Sequence, residues 1–298
     1  MRVFVTGATG FIGSAVVQEL IHSGHQVLGL TRSDAGAESL IASGAQVHRG
    51  DLEDLESLRS GAAAADAVIH TAFIHDFSKF QENCEIERRA IAALGDALVG
   101  TDKLLIVTSG TGISSSGSGL PATENDPPVS SKVVPRGATE EAAASLAARG
   151  VRVAVMRLPQ VHDTVKQGLV SYAIQVAREK GVVAYVGEGR NRWPAAHRFD
   201  AARLYRLALE KGEAGVTYHA VAEEGIPIRE IAEVIGRGLK LPVVSLKPED
   251  AGKHFGWLAA FAGMDIPASS TRTREKLGWN QTGPGLISDL ENMRYYPA

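Results

Sequence analysis

The chain has 298 residues, 44% hydrophobic and 22% charged, with 31 Lys+Arg against 34 Asp+Glu and a formal charge of −3. This composition excludes a disordered, collagen-like or disulfide-scaffold protein, and the lack of a basic field argues against a nucleic-acid partner. The single Cys84 cannot form an internal disulfide, and no run of 18 uninterrupted apolar residues suggests a membrane span, so a cytoplasmic protein with no membrane partner is expected.

The opening MRVFVTGATG reads as neither a signal peptide nor a spanning segment: Arg2–Thr6 is a short β-rich run, Gly7–Gly13 a turn, and Phe11–His22 a helix. Further strands are expected at Gln26–Leu30, Ala45–His48, Ala67–His70, Leu104–Thr108 and Arg152–Met156, the last after an Ala-rich helix over Thr139–Arg149. Short apolar strands separated by helical stretches indicate βαβ units and a buried parallel sheet, and right-handed crossovers then put helices on both faces. Beyond Met156 the rhythm loosens, with helices expected at Val165–Lys180, Ala201–Lys211 and 227–236 and a strand at Val216–Ala220. The expected architecture is a Rossmann-type, doubly wound parallel α/β sheet over 1–157, with 200–221 returning to it. A smaller α/β cap over 158–199 and 222–298 would take the substrate. Ser109–Gly119, rich in Ser and Gly at the carboxyl end of a strand, reads either as a mobile surface loop or as an active-site lid.

The strongest local signal is VFVTGATGFIGSAVVQEL, with Gly7, Gly10 and Gly13 between a strand and a helix. Gly7 permits the tight turn, Gly10 lets the backbone approach a pyrophosphate, and Gly13 lets the helix pack closely on the strand. With Thr9, Phe11 and Ile12, these residues form the expected anion-binding turn at a helix amino terminus.

These residues resemble the signature of the extended short-chain dehydrogenase/reductase superfamily, in its epimerase/dehydratase-like branch. GDLED at 50–54, VIHTAF at 68–73, RLPQVH at 157–162, HRFDAARLYRLALEK at 197–211 and REKLGW at 274–279 extend the resemblance in order along the chain. It implies NAD or NADP on the Rossmann half and a small carbonyl or alcohol substrate under the cap. It further implies adenine contacts by Asp51 and Leu52, nicotinamide-side contacts by Thr71, Ala72, Phe73 and Pro159, a helix-capping Asp200, and a homodimer.

Strand two ends in LGLTRSD, where an acid would bind the ribose 2′-hydroxyl and a cation would accommodate a 2′-phosphate. Arg32 between two hydroxyl residues favours NADP(H) over NAD(H). Asp34 stands against this, because a two-residue shift of the loop would bring it to the ribose.

The resemblance breaks at the proton donor. The superfamily uses Tyr-x-x-x-Lys with a Ser or Thr, yet no Tyr lies between Cys84 and Ser171. Aligning SSKVVPRGATEE by its glutamate puts Lys132 at the Tyr position and Arg136 at the Lys position. Lys132 then reads either as a donor with a lowered pKa or as a solvated lysine; Arg136 suits ribose binding but cannot titrate. Ser109 and Thr111 are the candidate hydroxyls, while Gly110 falls near the expected hydroxyl position. His75, His162, Tyr172 and Tyr185 are other possible donors. In the cap, Arg192 could meet an anion and Trp193 could stack on a ring, with Arg190 beside them, or these residues could serve packing. No metal-ligand spacing is present, so no metal is expected. Three readings follow: a carbonyl reductase with an atypical donor, a sugar-nucleotide epimerase or dehydratase, and a non-catalytic NADP(H) sensor.

Overall fold

A computed structural model describes residues 1–114 and 119–295. The first half alternates regularly: β1 (Arg2–Thr6), α1 (Phe11–His22), β2 (Gln26–Thr31), α2 (Asp34–Ala42), β3 (Gln46–Arg49), α3 (Leu55–Ala63), β4 (Ala67–His70), α4 (Phe80–Asp96), β5 (Leu104–Gly110), α5 (Ala138–Ala148) and β6 (Arg152–Leu158). Then follow β7 (Gln160–His162), α6 (Leu169–Lys180), β8 (Val183–Val186), β9 (Arg192–His197), α7 (Arg198–Lys211), β10 (Thr217–His219), β11 (Glu223–Pro227), α8 (Ile228–Leu239) and β12 (Val243–Leu246). Four short helices close the described chain: α9 (Ala251–Phe255), α10 (Ala259–Ala262), α11 (Thr271–Leu277) and α12 (Leu286–Glu291).

Seven strands form one sheet in the order β10-β6-β5-β4-β1-β2-β3, every neighbouring pair parallel. A parallel sheet must be covered on both faces, and alternate residues of β1 show how. Val3 and Val5 pack with α1 and α7 residues such as Val16, Leu20 and Tyr205, whereas Phe4 packs with Leu58, Leu94 and Leu146 of α3, α4 and α5. The order in which strands are added reverses between β1 and β4, so their carboxyl ends open the crevice where ligands bind in such sheets.

The remaining residues build a second layer from a three-stranded sheet, β11-β9-β7, and a two-stranded one, β12-β8. Its core joins Val170 and Ile174 of α6, Trp193 and Ala195 of β9, and Ile231 and Ile235 of α8. Strands β7, β8, β9, β11 and β12 were not legible as strands: β7, β8 and β12 are too short to show alternation, and β9 and β11 carry Pro together with Arg or Gly.

Two boundaries depart from expectation for local reasons. The helix expected from Val165 begins at Leu169, because Asp163 first closes a turn, its Oδ1 accepting from the amides of Val165 (2.7 Å) and Lys166 (2.9 Å). Asp200, expected to cap α7, lies inside the helix, and the cap is the His197 side chain, which accepts from the Phe199 amide. Asp200 instead receives the amides of Thr282 and Gly283, both at 2.9 Å, and so fastens the carboxyl-terminal segment to α7. Of the Ser109–Gly119 segment, Ser109 and Gly110 end β5 and Thr111–Ile113 form a short 3-10 turn; residues 115–118 lie outside the described residues, and with them the lid expectation. No helix among the described residues is long and apolar enough to cross a membrane.

Candidate active site

At the end of β1 the backbone turns at Gly7 with φ +65°, a region L-residues rarely occupy. The turn lies directly on the end of β4: a methyl group at Gly7 would meet the Ala72 amide nitrogen at 2.7 Å. One at Gly13 would meet the Gly7 carbonyl oxygen at 2.0 Å and the Thr71 hydroxyl at 2.9 Å. Thr71 completes the junction by donating its hydroxyl to the Thr6 carbonyl at 2.7 Å. Gly7, Gly10, Gly13, Thr71 and Ala72 therefore meet at the crevice. Gly10 is the N-cap of α1 and supplies no side-chain acceptor, so the first-turn amides around Phe11 and Ile12 are left for an anion. This cradle fits a dinucleotide diphosphate. Thr9 belongs to the same turn, and the Phe11 ring carries the Arg198 guanidinium at 4.9 Å and the Lys166 amine at 5.9 Å.

At the far end of the crevice, Arg32 follows β2 exposed and without a partner among the described residues. Asp34 pairs with Arg49 at 2.6 Å, and Ser33 caps α2. Asp51 closes its own loop, accepting from the amides of Glu53 and Asp54, and Leu52 packs beside the α3 face of the sheet.

The segment aligned with the proton donor is built differently from the alignment. It is not one continuous helix. Lys132 lies in a turn, exposed, with no side-chain partner among the described residues. Pro135–Gly137 form a 3-10 turn, and α5 begins only at Ala138. Glu141 holds the turn: its carboxylate accepts from the Ser131 amide (2.8 Å), the Ser131 hydroxyl (2.7 Å) and Arg88 (2.8 Å), and these bonds pull its pKa down to about 2.

Arg136 points inward. Its guanidinium pairs with the buried Glu87 carboxylate, donates to Thr139 and to the Thr108 carbonyl, and lies 4.2 Å over the Phe73 ring. Burial lowers its pKa to about 10, which leaves it charged at neutral pH. Much of the donor capacity expected for ribose is thus committed to the protein. Behind it His70 is fully buried, its Nδ1 2.8 Å from the Thr6 hydroxyl, and burial followed by Arg136 pushes its pKa down to about 3. Thr108 donates to the His70 carbonyl and meets the Tyr205 hydroxyl at 2.6 Å. Ser109 Oγ is buried without a hydrogen-bond partner among the described residues, Thr111 reaches only the Leu158 carbonyl at 3.5 Å, and Pro159 links β6 to β7 beside them.

His75, in the loop after β4, is hydrogen-bonded to the Phe73 carbonyl at 3.0 Å, its ring 5.3 Å from that of Phe73. Partial burial, then the nearby Lys166, lower its pKa. Tyr172 faces the same loop, 5.7 Å from Phe77.

Three cap candidates are engaged elsewhere. Trp193, expected to stack on a ring, is 3% exposed in the cap core with its indole N–H on the Met264 carbonyl. Arg192, expected to meet an anion, grips both carboxylate oxygens of Asp265 at 3.0 and 2.8 Å. His162 is fully buried and bonded to Asp289 at 2.7 Å. In each case a partner distant in sequence satisfies the group.

Residues 3–222 match the model of the NAD dependent epimerase/dehydratase family. The chain belongs to that family. An uncharacterized protein of Schizosaccharomyces pombe is 48% identical over 297 residues, covering 99% of this chain and 100% of that one. An uncharacterized protein of Saccharomyces cerevisiae is 45% identical over 293 residues, covering 97% and 98%. The 2-alkyl-3-oxoalkanoate reductase of Stenotrophomonas maltophilia is 30% identical over 262 residues, covering 82% and 77%. Among solved structures, the dTDP-glucose 4,6-dehydratase DesIV of Streptomyces venezuelae, with NAD bound, superposes with a TM-score of 0.79 at 19% identity, covering 99% of this chain and 97% of that one. The epimerase/dehydratase-type, NAD(P)-binding oxidoreductase assignment stands on these matches together with the fold.

Glu87, His70, Lys166 and Arg198 were not singled out from the sequence. A signal for Glu87 existed: it falls on the otherwise buried face of α4 with Asn83, Ala90 and Ile91. An acid at that position needs a buried partner.

Proposed function

We propose that the protein is an NADPH-dependent reductase of a ketone, aldehyde or related carbonyl compound, with 1–157 and 200–221 binding the cofactor and the cap binding the acceptor. The observation that carries the reading is the grouping on Phe73, beside the glycine turn, of a fixed cation and a titratable imidazole: Arg136 at 4.2 Å over the ring and His75 on the carbonyl at 3.0 Å. A reduced nicotinamide supplies a hydride. The carbonyl carbon gains it, the C=O π pair moves to oxygen, and that oxygen takes a proton from His75, which water then replenishes. Lys166, whose charge reaches His75, would favour the oxyanion electrostatically.

The NADP(H) preference rests on Arg32, which has no partner among the described residues, and on the pairing of Asp34 with Arg49. A reductase is also the chemistry named for the S. maltophilia relative. Against a sugar-nucleotide substrate, the cap guanidinium Arg192 is committed to both carboxylate oxygens of Asp265.

The test is a titration with NADPH followed by a panel of aliphatic and aromatic carbonyl compounds. Oxidation of NADPH by any of them, reduced at least about 100-fold in His75→Asn, supports the reading. Tight binding with no turnover across the panel replaces it with the non-catalytic sensor.

A further inference from the structure

Between the end of β4 and the cap lies a continuous set of rings. From Phe73 the chain of contacts runs to Phe80 at 6.2 Å, from Phe80 to Phe77 at 5.7 Å, and from Phe77 to Trp257 at 4.2 Å with the planes 4° from parallel. Tyr172 of α6 and Phe261 of α10 meet Trp257 edge-on at 5.0 and 6.2 Å. One end of the set carries Arg136 and His75, and the other lies in the cap.

A structural core would bury such rings completely, as it does Phe4, Tyr205 and Trp279. None of these six is fully buried, and Trp257 is 40% exposed. Their incomplete burial lets a flat molecule gain area that the protein itself does not cover, with ring geometry adding to it.

Building on the reductase reading, we propose that the acceptor is an aromatic ketone or aldehyde, its ring laid against the exposed side of the set at Trp257 and Tyr172 and its carbonyl directed toward His75. The ring set fixes which carbonyl is accepted, while the glycine turn and Arg32 act on the cofactor alone.

Trp257 provides a readout independent of turnover, because the other two tryptophans, Trp193 and Trp279, are 3% and 0% exposed. With NADP⁺ present, acetophenone should quench indole emission saturably, cyclohexyl methyl ketone of similar size should not, and Trp257→Phe should abolish the quenching. With NADPH, kcat/KM for acetophenone should exceed that for the saturated ketone by about tenfold, the scale of one aromatic pairing. Trp257→Ala should bring that ratio close to one with NADPH affinity unchanged; partial misfolding would lower both ketones alike and leave the ratio standing. Equal kcat/KM for the two ketones, or a ratio that survives Trp257→Ala, overturns the proposal while leaving the reductase reading intact. Saturable quenching lost in Trp257→Phe, with neither ketone turned over, upholds the ring site and removes the reductase reading instead.

Discussion

The glycine turn at 7–13 and the turn at 130–137 face the same crevice and are specified in opposite ways. The first is held by what is missing from its side chains: any Cβ at Gly7 or Gly13 collides with backbone. The second is held by charge reaching from elsewhere, with Glu87 and Arg88 of α4 and Glu141 of α5 gripping Arg136 and Ser131. A turn set by steric exclusion is written in its own few residues. A turn set by a buried ion pair depends on a partner far away along the chain, as Arg136 does on Glu87, 49 residues away.

The largest expected effect breaks the charged side of this comparison. Glu87→Ala leaves Arg136 buried without its carboxylate and should cost about 3–5 kcal/mol, the usual penalty for removing one member of a buried pair. Urea denaturation reads it directly; a loss under about 1 kcal/mol would mean that water or a rearranged side chain serves Arg136 equally well. The steric side yields next. Gly13→Ala must displace the Gly7 carbonyl, at about 1–3 kcal/mol for an overpacked site, and should remove measurable NADPH binding. Undiminished cofactor affinity in that variant would detach the turn from the cofactor.

Acid probes the charged side without mutation. His70 has a folded pKa of about 3 against 6.5 unfolded, so between those values the unfolded chain binds the extra proton. Stability contributed by neutral His70 is therefore complete above about pH 6.5 and is lost progressively as pH falls toward 3. Burial lowers His162 and His219 in the same direction. The unfolding temperature should decline steadily below pH 6.5, and a flat profile down to about pH 4.5 would contradict the burial of these imidazoles. Glu141 adds a further loss as pH drops from 4.5 to about 2.

The same contrast explains what was legible from sequence. The parallel sheet and the glycine turn follow from apolar runs and glycine spacing, which are local properties, whereas the place of Thr71 and Ala72 beside that turn was implied only by the family resemblance. The partners of Trp193, Arg192 and His162 were not legible, because Met264, Asp265 and Asp289 bond them from 71, 73 and 127 residues away. Lys132 and Arg136 were matched to a helical pair four residues apart, whereas Pro135 and the Glu141 clasp put a turn there instead. Side chains with alternative partners are decided by the whole fold, and a single sequence does not show which partner is chosen.

Smaller effects sharpen the comparison at the cofactor's two ends. Arg32→Asp should reverse the NADPH-over-NADH preference in equilibrium binding while leaving stability unaltered, since Arg32 is exposed and has no partner among the described residues. An unchanged ratio would return the choice of cofactor to Asp34, which Arg49 would then have to release.

The smallest expected effect is at Lys132. Its side chain is exposed on the clasped turn, and the groups bonded around it are Ser130, Ser131 and Glu141 rather than Phe73 or His75. Lys132→Ala should therefore change kcat by less than about threefold, against the roughly 100-fold or greater loss expected for His75→Asn. Because His75 has a lowered pKa and must be protonated to act as the acid, turnover should also rise as pH falls toward that pKa, and His75→Asn should flatten the profile. If Lys132→Ala instead removes the activity and His75→Asn spares it, the proton comes from the turn, and the clasp formed by Glu141 would serve to position an amine at the reacting oxygen.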